Sequence, residues 1–188
     1  MISTALKHAY ARKLGRNRKR GLTLMEVAMV LAIVGIVIAA ALLYYNSANT
    51  ARQTTSALGQ LAQIQQSIRS LYAGQSSYAG VSHTELAQSE ALPASMIGTG
   101  NTIRHAFNGT VEIEPATTAG GSNSGFKVTF ANVPQDACKQ MLTKDLGRGL
   151  YEAGVDGNTE VQPDLPFTLS GATTACADTY NEVTWTFF

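Results

Sequence analysis

The feature that most constrains this chain is an apolar run of 24 residues from Leu22 to Tyr45. As an α-helix the run spans about 36 Å, which exceeds the roughly 30 Å hydrocarbon core of a bilayer. The apolar core of a secretory signal peptide is shorter, about 7–15 residues. The run therefore predicts a membrane-spanning helix. One carboxylate, Glu26, lies near its start, where burial in lipid costs about 2.5–3.5 kcal/mol, so this acid requires an explanation.

Charge is segregated along the sequence, although the formal net charge is only +1. Residues 1–21 carry seven Lys or Arg side chains and no acid. Residues 22–188 carry the other seven basic side chains and all thirteen acids, a net charge of −6. A basic segment before a membrane helix predicts a cytoplasmic N-terminus and export of everything that follows. Nucleic-acid binding is another use of such a segment, but no fold-scale basic surface accompanies it, so we expect no nucleic-acid partner.

Helical periodicity continues beyond the apolar run. Between Ala51 and Tyr72 apolar residues recur at steps of three and four, separated by Gln, Ser, Thr and Arg. This is the pattern of an amphipathic helix. No proline occurs in this region, and Gly74 is a plausible stop. We therefore expect one helix over residues 22–73, about 78 Å long, with residues 22–45 in the membrane and the remainder packed on a globular head, residues 74–188.

The head has the patterning of an α+β fold with an antiparallel sheet against the long helix. Alternation of apolar and polar residues predicts strands at 110–115, 126–133 and 181–188, the last of them interior to the sheet. Short helices are predicted at 83–89 and 134–147, a flexible loop at 116–125, and short strands with loops at 148–175.

Two cysteines, Cys138 and Cys176, lie in the part predicted to be exported. An even pair in an oxidising compartment is most simply interpreted as one disulfide. Two buried free thiols are the alternative. The disulfide would close a loop that chain-entropy estimates value at about 4 kcal/mol.

The segment RKR-G-LTLME, with Gly21 before an apolar helix and Glu26 at its fifth position, resembles the class III signal of type IV prepilins. The 21-residue leader, a first mature residue that is Leu, and the large head resemble the type IVb group, which includes the toxin-coregulated and bundle-forming pilins. The segments VPQDACKQML, PFTLSGATTAC and EVTWTF most resemble the pilins of thin conjugative pili and enteric colonisation factors.

The resemblance implies the type IV pilin fold, with a disulfide-bracketed C-terminal region, and a processing and assembly pathway. A prepilin peptidase would remove the leader, residues 1–21, between Gly21 and Leu22 and methylate the new amine of Leu22. Glu26 would pair with the amine of a neighbouring subunit. An inner-membrane platform and its ATPase would then move the subunit from the bacterial inner membrane into a helical homopolymer on the cell surface, for adhesion, aggregation or mating contact.

No segment of the sequence has the spacing of a catalytic, metal or cofactor site. His8, His83 and His105 are scattered, and no nucleophile elbow, zinc-helix motif or phosphate loop is present. We therefore expect no catalytic residue, no metal and no cofactor. The leading interpretation is the major structural subunit of a type IVb pilus. The alternatives are a minor pilin or type II secretion pseudopilin, and a single-pass membrane enzyme or sensor that keeps its leader.

Overall fold

The structure, a computed structural model, describes residues 23–161 and 164–188 of the 188-residue chain. It divides into two units, the first ending at Tyr44 and the second running from Tyr45 to Phe188. The helices are α1 (Leu24–Leu71), α2 (His83–Gln88), α3 (Gln135–Leu142) and α4 (Leu169–Ala175), with a 3-10 turn at Ala94–Met96. The strands are β1 (Ile103–Arg104), β2 (Thr110–Thr118), β3 (Gly121–Pro134), β4 (Leu150–Val155), β5 (Asn158–Val161) and β6 (Tyr180–Phe187).

Helix α1 extends from the first unit into the second, where one stripe of its surface is buried. The buried residues recur at three- and four-residue steps, so they lie on one face: Thr54, Ala57, Leu61, Ile64 and Ile68. The helix ends at Leu71, and Gly74 follows in the left-handed region with φ +90. That conformation suits glycine because it has no Cβ. The predicted helix over residues 22–73 is observed from Leu24 to Leu71, two residues short of its predicted end.

The described strands form one antiparallel sheet in the order β1-β2-β3-β6-β4-β5. The last strand, β6, lies inside the sheet between β3 and β4, as its apolar alternation predicts. Its side chains Val183, Trp185 and Phe187 are buried. Phe126 of β3 contacts Phe187 with ring centroids 5.6 Å apart, and Phe130 contacts Trp185 at 5.3 Å. Each such buried aromatic contributes about 1.5–3 kcal/mol relative to an exposed one, so this cluster is a major part of the core.

Three predictions in the head are wrong. Residues 116–125 are not a flexible loop, because β2 continues to Thr118 and β3 begins at Gly121, leaving a tight hairpin turn. The helix predicted over 134–147 ends at Leu142, with Thr143 as its C-cap. The segment 148–175 contains a helix, α4, in addition to its strands. The fold class itself is confirmed: a long N-terminal helix on an antiparallel sheet.

Candidate functional site

Glu26 lies in the first turn of α1, next to a threonine that caps the helix. The backbone N–H of Glu26 donates to the carbonyl oxygen of Thr23 at 3.0 Å and to its Oγ1 at 3.3 Å, and the N–H of Val27 donates to the same carbonyl at 3.1 Å. Thr-x-x-Glu is the sequence of a capping box, and an acid is favoured near the positive end of the helix dipole. Thr23 is therefore a site residue that our sequence analysis missed, although the letters TLME carry the signal.

The two residues of the predicted cleavage site, Gly21 and Leu22, lie outside the described residues. The prediction that Glu26 faces the amine of a neighbouring subunit concerns an assembly of several chains. Both remain predictions.

The apolar part of α1 has its side chains exposed. Every residue from Leu24 to Tyr44 is exposed, including Leu24 at 88% and Leu43 at 73%. By length and composition α1 is able to cross a membrane. A contiguous apolar surface of this size marks a contact with lipid or with another protein.

The disulfide predicted between Cys138 and Cys176 is present. Both cysteines are fully buried, Cys138 inside α3 and Cys176 at the end of α4. The Gln135 side-chain amide donates to the Cys176 carbonyl at 3.1 Å, and this bond links the first residue of α3 to the end of α4. At the other end of α4 the Thr168 Oγ1 accepts from the Gly171 N–H. Helix α4 is therefore held to α3 by a disulfide and a hydrogen bond.

His105 is buried in the head, where its ring is held on three sides. The ring stacks on Phe130 with centroids 4.7 Å apart and planes 5° from parallel. Its Nε2 lies 2.7 Å from the Ala131 carbonyl oxygen, and its Nδ1 accepts from the Phe107 N–H at 3.3 Å. This pairing requires the neutral tautomer with its proton on Nε2. Burial lowers the pKa of His105 from its ordinary value of 6.5, against a smaller opposing effect of the Ala131 carbonyl.

Two acidic residues of the head, Glu114 and Asp156, are engaged in contacts with other residues. Glu114 forms an ion pair with Lys127 at 2.9 Å, and the Asp156 Oδ1 accepts from the Glu182 N–H at 2.9 Å. Within residues 23–161 and 164–188 no group of three or more His, Cys, Asp or Glu side chains is placed to hold a metal ion.

Comparisons with known proteins agree with this architecture. Residues 50–188 match the family described as PilS N terminal, and residues 16–42 match the prokaryotic N-terminal methylation motif. The chain is 30% identical over 187 residues to the "Major structural subunit of bundle-forming pilus" of Escherichia coli O127:H6 (strain E2348/69 / EPEC). That alignment covers 92% of this chain and 96% of the relative. The same subunit from Escherichia coli O111:H- matches equally well.

Two solved structures share the fold. The type IV b pilin from Salmonella typhi matches with a TM-score of 0.56 at 22% identity, over 70% of this chain and 97% of that one. TcpA, a type IV pilin from Vibrio cholerae El Tor biotype, matches with a TM-score of 0.50 at 15% identity, over 72% and 98%. With its long N-terminal helix, antiparallel sheet and C-terminal disulfide, the chain belongs to the type IV pilin family, and within it to the type IVb pilins.

Proposed function

We propose that this chain is the major structural subunit of a type IVb pilus, a helical homopolymer used for adhesion, aggregation or mating contact. The observation that carries the proposal is the exposure of every residue from Leu24 to Tyr44. Each Å² of apolar surface left in water costs about 25 cal/mol, so this segment needs lipid before assembly and neighbouring helices after it. The relative named as a major pilus subunit supports the same role.

Assembly into a filament follows from the contact that such helices make. A subunit leaving the membrane for a bundle of identical helices exchanges one dry environment for another. Copies joined head to tail through two different surfaces form an open helix when the rotation does not close. The sequence contains no phosphate loop, so the work of extraction belongs to partners, which we take to be an inner-membrane platform and an ATPase.

Processing of the N-terminus is the second part of the proposal. A prepilin peptidase removes residues 1–21 between Gly21 and Leu22 and methylates the Leu22 amine, and the match of residues 16–42 to the methylation motif supports this. The chain then resides in the inner membrane through residues 22–45, until it joins a surface filament built on residues 22–73 and headed by residues 74–188.

Glu26 pairs in this proposal with the Leu22 amine of a neighbouring copy. Two unpaired charges in a dry core each cost several kcal/mol, and pairing offsets much of that cost. Because the pair forms at only one axial stagger, it also fixes the register of the helices.

The variant Glu26→Gln separates this pairing from helix capping. Glutamine serves as well as glutamate at this position of a capping box, but it has no charge for the amine. We expect normal cleavage and membrane insertion of Glu26→Gln with loss of surface fibres, whereas Glu90→Gln, an exposed acid of the head, assembles normally. Normal fibres from Glu26→Gln would refute the pairing, and so would a failure of cleavage, since the acid would then serve the peptidase.

The identity of the subunit is tested directly on fibres. Fibres sheared from the cell surface should consist mainly of this chain and begin at a methylated Leu22 by mass spectrometry. A leader still attached to assembled protein contradicts the processing. Fibres in which this chain is a trace component contradict the role of major subunit and favour a minor pilin.

A further inference from the structure

A groove of about 660 Å³ lies between β5 and α4 in the C-terminal part of the head. Three carboxylates line it, those of Asp156, Glu160 and Asp178, and no Lys or Arg does among the described residues. Its floor includes the ring of Phe167. Strand β5 is at the edge of the sheet, hydrogen-bonded only to β4, so the groove borders an unpaired strand edge.

A basic loop, residues 143–149, connects α3 to β4. Lys144 and Arg148 are both exposed there. The one acid of the loop, Asp145, accepts from the Gly147 N–H at 2.8 Å and is thus folded back onto the loop. In the described part of the chain the single ion pair joins Lys127 to Glu114, so the cations of the loop and the carboxylates of the groove have no charged partner there.

The groove and the basic loop are separate surfaces, since no residue of 143–149 lines the groove. Asp178 precedes the start of β6 at Tyr180, and the Asp156 N–H donates to the Glu182 carbonyl near that start. The basic loop adjoins the far end, where the Phe188 N–H donates to the Gly149 carbonyl at 3.1 Å. Strand β6, from Tyr180 to Phe187, spans about 23 Å at 3.3 Å per residue. Glu160 pairs with Ala153 in the middle of β4, so this groove residue lies nearer the loop than Asp178 does. Among the described residues of one chain, no groove carboxylate forms an ion pair with Lys144 or Arg148.

We infer that in the filament the acidic groove of one subunit receives Lys144 and Arg148 from the basic loop of a neighbouring copy. The inference rests on the proposed function, because a head-to-tail filament requires two different, complementary surfaces on each subunit. Two separate surfaces of opposite charge on one head meet that requirement. A metal ion is not the occupant we argue for, since the described residues place no metal-binding group there. Charge complementarity of this kind mainly sets orientation and partner choice.

Charge reversal with rescue tests the contact in the full-length chain. The double variant Glu160→Lys with Asp178→Lys should lower the yield of sheared fibres by about tenfold or more, because like charges across an interface cost several kcal/mol. Adding Lys144→Glu and Arg148→Glu to that variant should restore the yield. The control Glu112→Lys makes one charge reversal of the same kind at an exposed position outside the groove, and should assemble normally. Full assembly of the double variant, or no rescue by the fourfold variant when its subunit level is normal, would overturn the inference.

Cross-linking gives an answer that does not depend on fibre yield. Fibres carrying Glu160→Cys and Lys144→Cys should form, on mild oxidation, a ladder of disulfide-linked copies on non-reducing gels. The matched pair Glu112→Cys and Lys144→Cys should form none. Fibres without a ladder, or equal ladders from both pairs, would refute the inference and leave the proposed function standing, whereas absence of fibres from the unaltered chain would refute the proposed function itself.

Discussion

Acidification should destabilise the head by protonating His105. The neutral ring donates from Nε2 to the Ala131 carbonyl and accepts at Nδ1 from the Phe107 N–H. Protonation adds a hydrogen to Nδ1, so that both ring nitrogens carry one. Nδ1 then faces the Phe107 N–H and can no longer accept a hydrogen bond from it. The Gln60 side chain, packed beside this turn through its bond to the Ala106 N–H at 2.8 Å, is neutral and offers the imidazolium no compensating charge.

The sign of the effect follows from the lowered pKa. Because burial lowers the pKa of His105 in the folded protein below its ordinary 6.5, the unfolded chain binds the proton first as the pH falls. The stability contributed by the neutral ring is complete above 6.5, and it is lost as the pH falls from there to the lowered pKa of the folded state. A buried donor left without a partner costs about 1–3 kcal/mol, and this is the scale we expect for the loss of the Phe107 bond.

The assay uses the single tryptophan of the chain, Trp185, which is 1% exposed in the core. Its emission should report urea unfolding of the full-length protein in detergent, at about pH 8 and about pH 5. His105→Phe keeps an aromatic ring over Phe130 but makes neither hydrogen bond, so it should be about 2–5 kcal/mol less stable at high pH. Because phenylalanine does not titrate, the free energy of unfolding of this variant should also depend less on pH.

The matched control is His83→Gln, at a half-exposed position, which should retain the pH dependence of the original protein. An equal pH dependence in the original protein and in His105→Phe would refute the reasoning. So would greater stability of the original protein at the acidic pH, since the sign would then be reversed.

Two further changes test the packing of the head. Replacing both Cys138 and Cys176 by Ser opens a loop with a sequence separation of 38, and should lower the free energy of unfolding by about 4 kcal/mol; an unchanged urea midpoint would contradict this. Gly109→Ala places a methyl group against the Ala131 carbonyl oxygen and the His105 ring, and should cost about 1–3 kcal/mol or more. Its control, Gly59→Ala, meets no neighbouring atom within 4 Å and, at an exposed helical position, should raise stability slightly. A midpoint for Gly109→Ala equal to that of the original protein would refute the packing argument.

The elements with strong periodicity were predictable from sequence. The three- and four-residue spacing predicted α1, and its described bounds agree with the prediction within two residues. The spacing located the buried face only in part, because Leu61 and Ile68 are buried whereas Ala62 and Leu71 are exposed. The alternation in β6 predicted both the strand and its interior place, because Val183, Trp185 and Phe187 have to leave water together. In these segments a large apolar area determines the structure.

The elements that were missed depend on contacts made far along the chain. Helix α4 has the sequence LSGATTA, which is too short and too poor in helix formers to be stable alone. It is held instead by the Thr168 cap and by the disulfide at Cys176. The hairpin at 116–125 has the composition of a loop, but Gly125 lies where a side chain would collide with the Phe187 carbonyl. Its glycine therefore permits close strand pairing, which composition alone does not reveal.

The proposed role of Glu26 depends on a comparison of energies at the start of α1. The helix dipole stabilises an acid in the first turn by about 0.3–1 kcal/mol, and the Thr23 cap satisfies backbone groups without neutralising the carboxylate. At the centre of an apolar medium a carboxylate costs about 2.5–3.5 kcal/mol, which is more than the helix dipole supplies. The deficit disappears only when a cation reaches the acid. A free amine at Leu22, created by cleavage on a neighbouring copy, would supply that charge at the same depth, and for this reason we propose that cleavage and assembly are coupled through Glu26.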